Sequence, residues 1–390
     1  MARIAVLSPF EPPPDGIGRY SRHLVDAWDR AGHQVLVLAP RSRHTSSLSE
    51  EIGQHSHVTR IVSLAPRHAA WAEARNFQPD VLVVQFAVSA LGVNLWAMRS
   101  LTRHVSALGV PVVLIFHETV REYDLLGPLT RSIYRSWARV GDVAIALSTD
   151  GRRSLLDAGL FETVLQVPHG ARAGNENDES AAERVRHAYG VTRPLVLTLG
   201  FTGVDKGTDV LLDAVPLIAE ARGNDVQFLI AGSPRQRRGL FRLMGRRDQK
   251  FQRILDARVR EMPGAHVTAT GFIADDDVTP LLRVADVVAL PYRRATQSGI
   301  ANLALSSQAA IVATDLPGLR DSLGDAALYV APEDARGLAE AITSLLGDDN
   351  RPAREQLRAS AARQAAQSDF DLVAELILAA GLNSSIKDAH

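Results

Sequence analysis

Short apolar runs alternate with longer amphipathic stretches through the first half of the chain. The runs lie at 4–7, 35–39, 81–85, 112–116 and 143–147. Continuous apolar runs of this length predict strands of a parallel sheet buried on both faces, and the stretches between them predict its crossover helices. Segment 15–30 fits the first crossover, because Leu24, Val25, Ala27 and Trp28 recur at helical spacing and Gly32 can stop the helix.

After Val167 and Pro168 the character changes. Residues 173–186 are polar, with Gly174, two asparagines and several acids, and predict a linker. A second alternating series follows at 195–199, 227–231, 266–270, 287–290, 311–314 and 327–330. The pattern of the first half recurs without any repeat of its sequence. The expected fold is α/β: two doubly wound, Rossmann-like parallel sheets facing each other, with ligands outside the carboxyl ends of the strands in an interdomain cleft. The domains are expected at 1–172 and 187–368, and a last helical segment, 369–390, is expected to cross back to the first domain.

Composition narrows the function. A chain of 390 residues exceeds one growing core, so two domains agree with its length. With 43 basic against 44 acidic residues, no global field points to nucleic acid. The absence of cysteine excludes disulfides and thiolate metal sites. The first apolar run is too short for a signal-peptide core, and no run reaches the roughly 18 apolar residues of a membrane span. A soluble, cytoplasmic protein is expected.

Three loops carry candidate chemistry, each placed after a strand and before a helix. The first holds Asp15, Gly16, Ile17, Gly18, Arg19 and Tyr20, where glycines let backbone approach a ligand and helix-start N–H groups attract phosphate; an ordinary strand-to-helix turn needs the same glycines. The second runs from Gly200 to Gly207 and includes Lys206, a point charge suited to a diphosphate or simply a solvated side chain. The third includes Tyr292, Arg293, Arg294, Ser298, Gly299 and Asn302. Ser298 and Gly299 can offer a hydroxyl and backbone N–H groups to phosphate, or can merely cap a helix. Asp275, Asp276 and Asp277 precede an apolar segment and are read as helix N-terminal capping in preference to a metal site. Segment 235–260 has ten basic residues to two acidic ones. It is read as a solvated helix face with an ordinary core stripe, the rival being peripheral contact with the inner face of an anionic membrane.

The order of the motifs resembles the retaining GT-B glycosyltransferases of family 4 (glycosyl transferases group 1) over nearly the whole length. The resemblance rests on Gly16 to Tyr20, Ile115 to Glu118, Val167 to Gly170, Asp205 to Gly207, Ile230 to Gly232, Gly271 to Ile273, Gln297 to Gly299 and Val312 to Leu319. It implies transfer of a sugar, with retention, from a nucleotide diphosphate sugar to an acceptor hydroxyl. The acceptor implied is a sugar, glycan or lipid-linked group, in glycan, polysaccharide or glycolipid biosynthesis, with no nucleic acid, cofactor or metal involved. The first domain is then the acceptor side and the second binds the nucleotide sugar.

Residue by residue, the resemblance places Gly16, Gly18, Gly200, Lys206, Gly232, Ser298, Gly299 and Asn302 at the donor, and Phe272 and Ile273 at the nucleobase. His117 lies near the donor sugar and is catalytic together with Lys206, while Arg19 and Glu118 lie on the acceptor side. His169 is read as structural. Two departures stand out. Residues 201–205 lack the family's usual arginine, and Ala295 and Leu303 stand where two glutamates are usual. Arg293 or Arg294 is the candidate to supply the missing charge. A non-catalytic nucleotide-sugar-binding subunit and a nucleotide-sugar epimerase are the rival functions.

Overall fold

The strand Arg3–Leu7 (β1) shows how the apolar runs work. Ile4 and Val6 enter one core and Ala5 and Leu7 another, because successive side chains of a strand point to opposite faces. The strand Gln34–Pro40 (β2) divides in the same way, with Val35 and Val37 on one face and Leu36 and Leu38 on the other. A sheet with both faces covered asks for apolar residues at every position, which is what the runs supplied.

The computed structural model describes residues 1–11, 16–40, 49–61, 69–88, 95–117, 127–171, 178–234, 242–262, 266–295 and 298–387. The chain divides into two compact units, one of Met1–Gly170 with Ser368–His390 and one of Ala171–Gln367.

In the first unit β1 and β2 are joined by Ser49–Glu51 (β3), Ser56–Ile61 (β4), Val81–Phe86 (β5), Val112–Phe116 (β6), Val143–Ala146 (β7) and Leu165–Gln166 (β8). The order is β3-β4-β2-β1-β5-β6-β7-β8, parallel throughout except for the β3/β4 pair. The pair β3 and β4 was not expected. Their residues are mostly polar, and they are held by partners remote in sequence: the Ser56 hydroxyl donates to Asp29 at 2.6 Å and the Thr59 hydroxyl to Glu73 at 2.8 Å. The final helix, Phe370–Lys387, belongs to this unit. Val373, Ala374 and Ile377 join the core of Ile4 and Val6, and the indole Nε1–H of Trp28 donates to the Ala374 carbonyl at 3.0 Å.

The second unit contains Leu195–Leu199 (β9), Gln227–Ala231 (β10), Val267–Gly271 (β11), Val287–Leu290 (β12), Ile311–Thr314 (β13) and Ala327–Val330 (β14), all parallel, in the order β11-β10-β9-β12-β13-β14. The order reverses between β9 and β12, and an open sheet of this kind has its ligand crevice outside the strand ends at such a reversal.

Part of the expected linker is helical. Glu179–Ala188 forms a helix whose Asp178 side chain accepts from the Ala181 N–H, and Val185 is fully buried. A single well-placed cap and one core contact override the polar composition; residues 172–177 lie outside the described residues. The three aspartates occupy the first turn of the helix Asp275–Val284, where their charge suits the dipole, but its cap is Ala274, not a carboxylate. Asp277 is instead engaged by the Arg184 guanidinium and by the Tyr189 hydroxyl at 2.8 Å. The basic segment forms the helix Arg242–Arg260, with Leu255 buried against Leu212 and Ile230. Among the described residues no helix is long and apolar enough to cross a membrane.

Candidate functional site

Three strand exits of the second unit are tied together around Lys206. After β9 the chain passes Gly200, makes a single tight turn over Val204–Lys206, and enters the helix Thr208–Arg222. The Lys206 ammonium sits 3.8 Å from the centre of the Tyr292 ring, just past β12. That phenol is buried, so its π-face gives the cation a fixed, partly desolvated seat. A small cavity opens here, lined among others by Thr198, Gly200, Thr202, Lys206, Thr208 and Tyr292.

Two glycines are required by how closely these exits pack. Gly207 has φ 62°, and a Cβ there would lie 1.8 Å from the Pro291 carbonyl oxygen. At Gly232 a Cβ would lie 1.8 Å from the carbonyl oxygen of Gly200. Pairing of β9 with β10 therefore continues past the strand ends, with the Gly200 N–H donating to Ala231 at 2.9 Å and the Thr202 N–H to Ser233 at 3.0 Å.

Arg293 does not stand free as a replacement cation. Its guanidinium donates twice to the Asp209 carboxylate, at 2.7 and 2.9 Å. It also reaches the Val204 carbonyl at 3.0 Å and, through Nε, Glu333 at 2.8 Å. The bond to Asp209, followed by that to Glu333, raises its pKa further above its ordinary value, against the opposing effect of burial. Arg294 is exposed.

The Ser298 hydroxyl is committed within the protein. It accepts from the Ala301 N–H at 3.2 Å as the cap of the helix Gly299–Ser306, and it donates to the Tyr292 hydroxyl at 3.3 Å. What the helix start leaves open is Gly299, exposed and with no atom within 4 Å of where a Cβ would lie. Asn302 is buried, and its Nδ2 has no partner among the described residues. Phe272 is 69% exposed at the end of β11, whereas Ile273 is spent on the core.

In the first unit, β5 and β6 position a buried polar cluster. His117 follows β6, and its Nε2 lies 2.6 Å from Gln85 Oε1 on β5. An amide oxygen can only accept, so the imidazole carries its proton on Nε2 and leaves Nδ1 as an acceptor. Burial, and then the neighbouring His169, push the His117 pKa down to about 3. Burial first pushes His169 down to about 4, with His23 adding to it and a bond to the Gly170 backbone opposing it. Tyr20 packs edge-on to His117 at 5.1 Å and against His169 at 5.0 Å. Three buried polar atoms of this cluster have no partner among the described residues: the Tyr20 hydroxyl, Gln85 Nε2 and His169 Nδ1.

His169, set aside as structural on sequence grounds, thus shares a cluster with His117. Gly16 opens the helix Gly16–Arg30 and is exposed, with open space at its Cβ position, while Gly18 is buried. Arg19 lies 3.6 Å from the Glu11 carboxylate. Glu118 lies outside the described residues. Sequence reasoning missed Gln85 and Asp209. Gln85 was visible as a lone amide inside an apolar strand, and Asp209 as an acid opening the helix that follows the lysine turn.

Two doubly wound parallel sheets with glycine-bearing strand exits define the GT-B fold. Residues 14–171 match the model of Glycosyltransferase Family 4, and residues 193–348 that of Glycosyl transferases group 1. The chain is 27% identical to a phosphatidyl-myo-inositol mannosyltransferase of Mycolicibacterium smegmatis, covering 92% of this chain and 88% of that one. It is 25% identical to an alpha-D-kanosaminyltransferase of Streptomyces kanamyceticus, covering 91% and 82%. Solved structures share the fold: Anabaena HepE with UDP (TM-score 0.69, 18% identity, 97% and 98% covered) and sucrose-phosphate synthase of Thermosynechococcus elongatus (0.72, 18%, 100% of both). The chain belongs to the family 4, group 1 glycosyltransferases, and its reaction is transfer of a sugar from a nucleotide sugar to an acceptor.

Proposed function

We propose that the chain is a retaining, metal-independent hexosyltransferase that places a sugar on the hydroxyl of a glycan or lipid-linked acceptor. The observation that carries this reading is the lysine seat: one ammonium held at the carboxyl end of β9, where the strand order reverses, beside the open helix start at Gly299. As the bond from the anomeric carbon to the diphosphate breaks, negative charge grows on the leaving oxygen. Lys206 and the backbone N–H groups at Gly299 offset that charge, and preorganised groups of this kind commonly supply the largest part of a rate enhancement. Gly16, exposed at the start of its helix, and Gly18 are the donor-side candidates of the first unit. His117 is neutral near pH 7, which removes it as a general acid and leaves Nδ1 to accept a hydrogen bond from a sugar hydroxyl. Phe272 offers an exposed apolar face to the nucleobase. Arg19 and Glu118 serve the acceptor.

The acceptor class is supported by the relatives, one named a phosphatidyl-myo-inositol mannosyltransferase and another a glycogen synthase. Exposed Arg246, Arg247, Lys250 and Arg253 on the helix Arg242–Arg260 support peripheral contact with an anionic membrane carrying a lipid acceptor, and failure to pellet with anionic vesicles removes that part.

The test begins with a thermal-shift screen of UDP-, GDP- and ADP-sugars, since a ligand at ~100 times its Kd adds about 2.7 kcal/mol. With the donor known, Lys206→Ala is expected to lower kcat/KM by about a hundredfold or more. Proton NMR is expected to show the donor's anomeric configuration in the product, and EDTA is expected to leave the rate unchanged. Binding without any transfer would favour a non-catalytic subunit.

A further inference from the structure

We infer that Arg293 is a positioning residue that acts through the lysine turn, holding Lys206 in its seat without touching the ligand; its consequence for donor binding rests on the reading above. From the exit of β12, one guanidinium makes four bonds to two other strand exits: two to Asp209 in the first turn of the helix after β9, one to the Val204 carbonyl in the lysine turn, and one to Glu333 beyond β14. Its own backbone N–H donates to the Asp205 carbonyl at 2.9 Å, and that of Arg294 reaches the same oxygen at 3.3 Å. The turn bearing Lys206 is therefore held at Val204 and Asp205 by residues 293 and 294, and Tyr292, the next residue back, is the lysine's seat.

Glu333 adds to the case. It adopts φ 60°, a left-handed conformation that non-glycine residues rarely keep unless their surroundings demand it, and its carboxylate is bound to Arg293 Nε. With two carboxylates on it, the guanidinium has little charge left for a phosphate. A planar fork is needed to hold Asp209 bidentately while Nε points elsewhere, and lysine has no such fork.

The experiment uses the small lysine complement. Lys206, Lys250 and Lys387 are the only lysines in the chain, so acylation by N-hydroxysuccinimidyl acetate can be followed at each by mass spectrometry. In the ligand-free protein, Arg293→Lys and Asp209→Asn are each expected to accelerate Lys206 acylation about threefold or more while Lys250 is unchanged, the exchange of a tethered for an untethered amine. A general loosening of the fold would move both lysines and is excluded by an unchanged Lys250 rate. In titrations with UDP, GDP and ADP, Arg293→Lys is expected to bind the accepted nucleotide about tenfold more weakly, as weakly as Arg293→Ala, since a point charge does not restore the brace. The inference is overturned if Lys206 reactivity is unchanged in both Arg293→Lys and Asp209→Asn, or if Arg293→Lys keeps wild-type nucleotide affinity, as direct contact with phosphate would allow. If the wild type binds none of the three nucleotides, the donor reading fails, and the acylation rates still decide the role of Arg293.

Discussion

Lowering the pH should destabilise the first unit through two histidines. His117 is buried and His169 half-buried as neutral imidazoles, with pKa values pushed to about 3 and about 4, whereas in the unfolded chain each titrates near the ordinary value of about 6.5. A depressed folded pKa means that the unfolded chain takes up protons first. The stability tied to these groups is thus whole above about pH 6.5 and drains away as the pH falls toward the folded values. At pH 5 the unfolded chain holds nearly one proton on each imidazole and the folded unit almost none, so each costs roughly 2 kcal/mol, about 4 kcal/mol together. That is a large part of the stability of a typical domain.

The four tryptophans, at 28, 71, 96 and 137, all lie in the first unit, so their fluorescence in urea titrations reports that unit alone. The wild type is expected to lose about 4 kcal/mol of unfolding free energy between pH 8 and pH 5, and a His117→Gln/His169→Gln double variant to lose far less, whatever its stability at pH 8. An equal drop in both proteins, or a wild-type drop under about 1 kcal/mol, refutes the argument.

Other substitutions probe the strand exits and the final helix. Gly207→Ala sets a methyl carbon against the Pro291 carbonyl and strains a left-handed φ, so calorimetry should show the second unit destabilised by roughly 2–4 kcal/mol. Ser298→Ala removes a helix cap and should cost about 1 kcal/mol with little change in nucleotide affinity, because the hydroxyl faces Ala301 and Tyr292; a large loss of affinity would instead put it on the phosphate. Trp28→Phe removes the donor to the Ala374 carbonyl, and hydrogen exchange across residues 370–387 should accelerate ahead of the strands, reflecting about 1–2 kcal/mol of local loosening.

The sequence by itself determined the two-sheet α/β plan, because strands buried on both faces must be apolar at every position and so declare themselves as runs. It also placed the candidate loops at strand ends, since in parallel sheets the ligand side lies where strand gives way to helix. It could not show β3 and β4, whose polar residues are held by Asp29 and Glu73 from elsewhere in the chain. Nor could it divide labour within a loop. Arg293 and Lys206 are both cations at strand exits, and only the placement of Asp209 and Glu333 reveals that one is bound by carboxylates while the other rests on an aromatic face. His117 was read as catalytic and His169 as structural, and they become one cluster only when β6, the approach to Gly170 and Tyr20 are packed together. Local pattern records what each segment buries. Which charges meet is decided by contacts between residues far apart in the chain, and no local pattern encodes those.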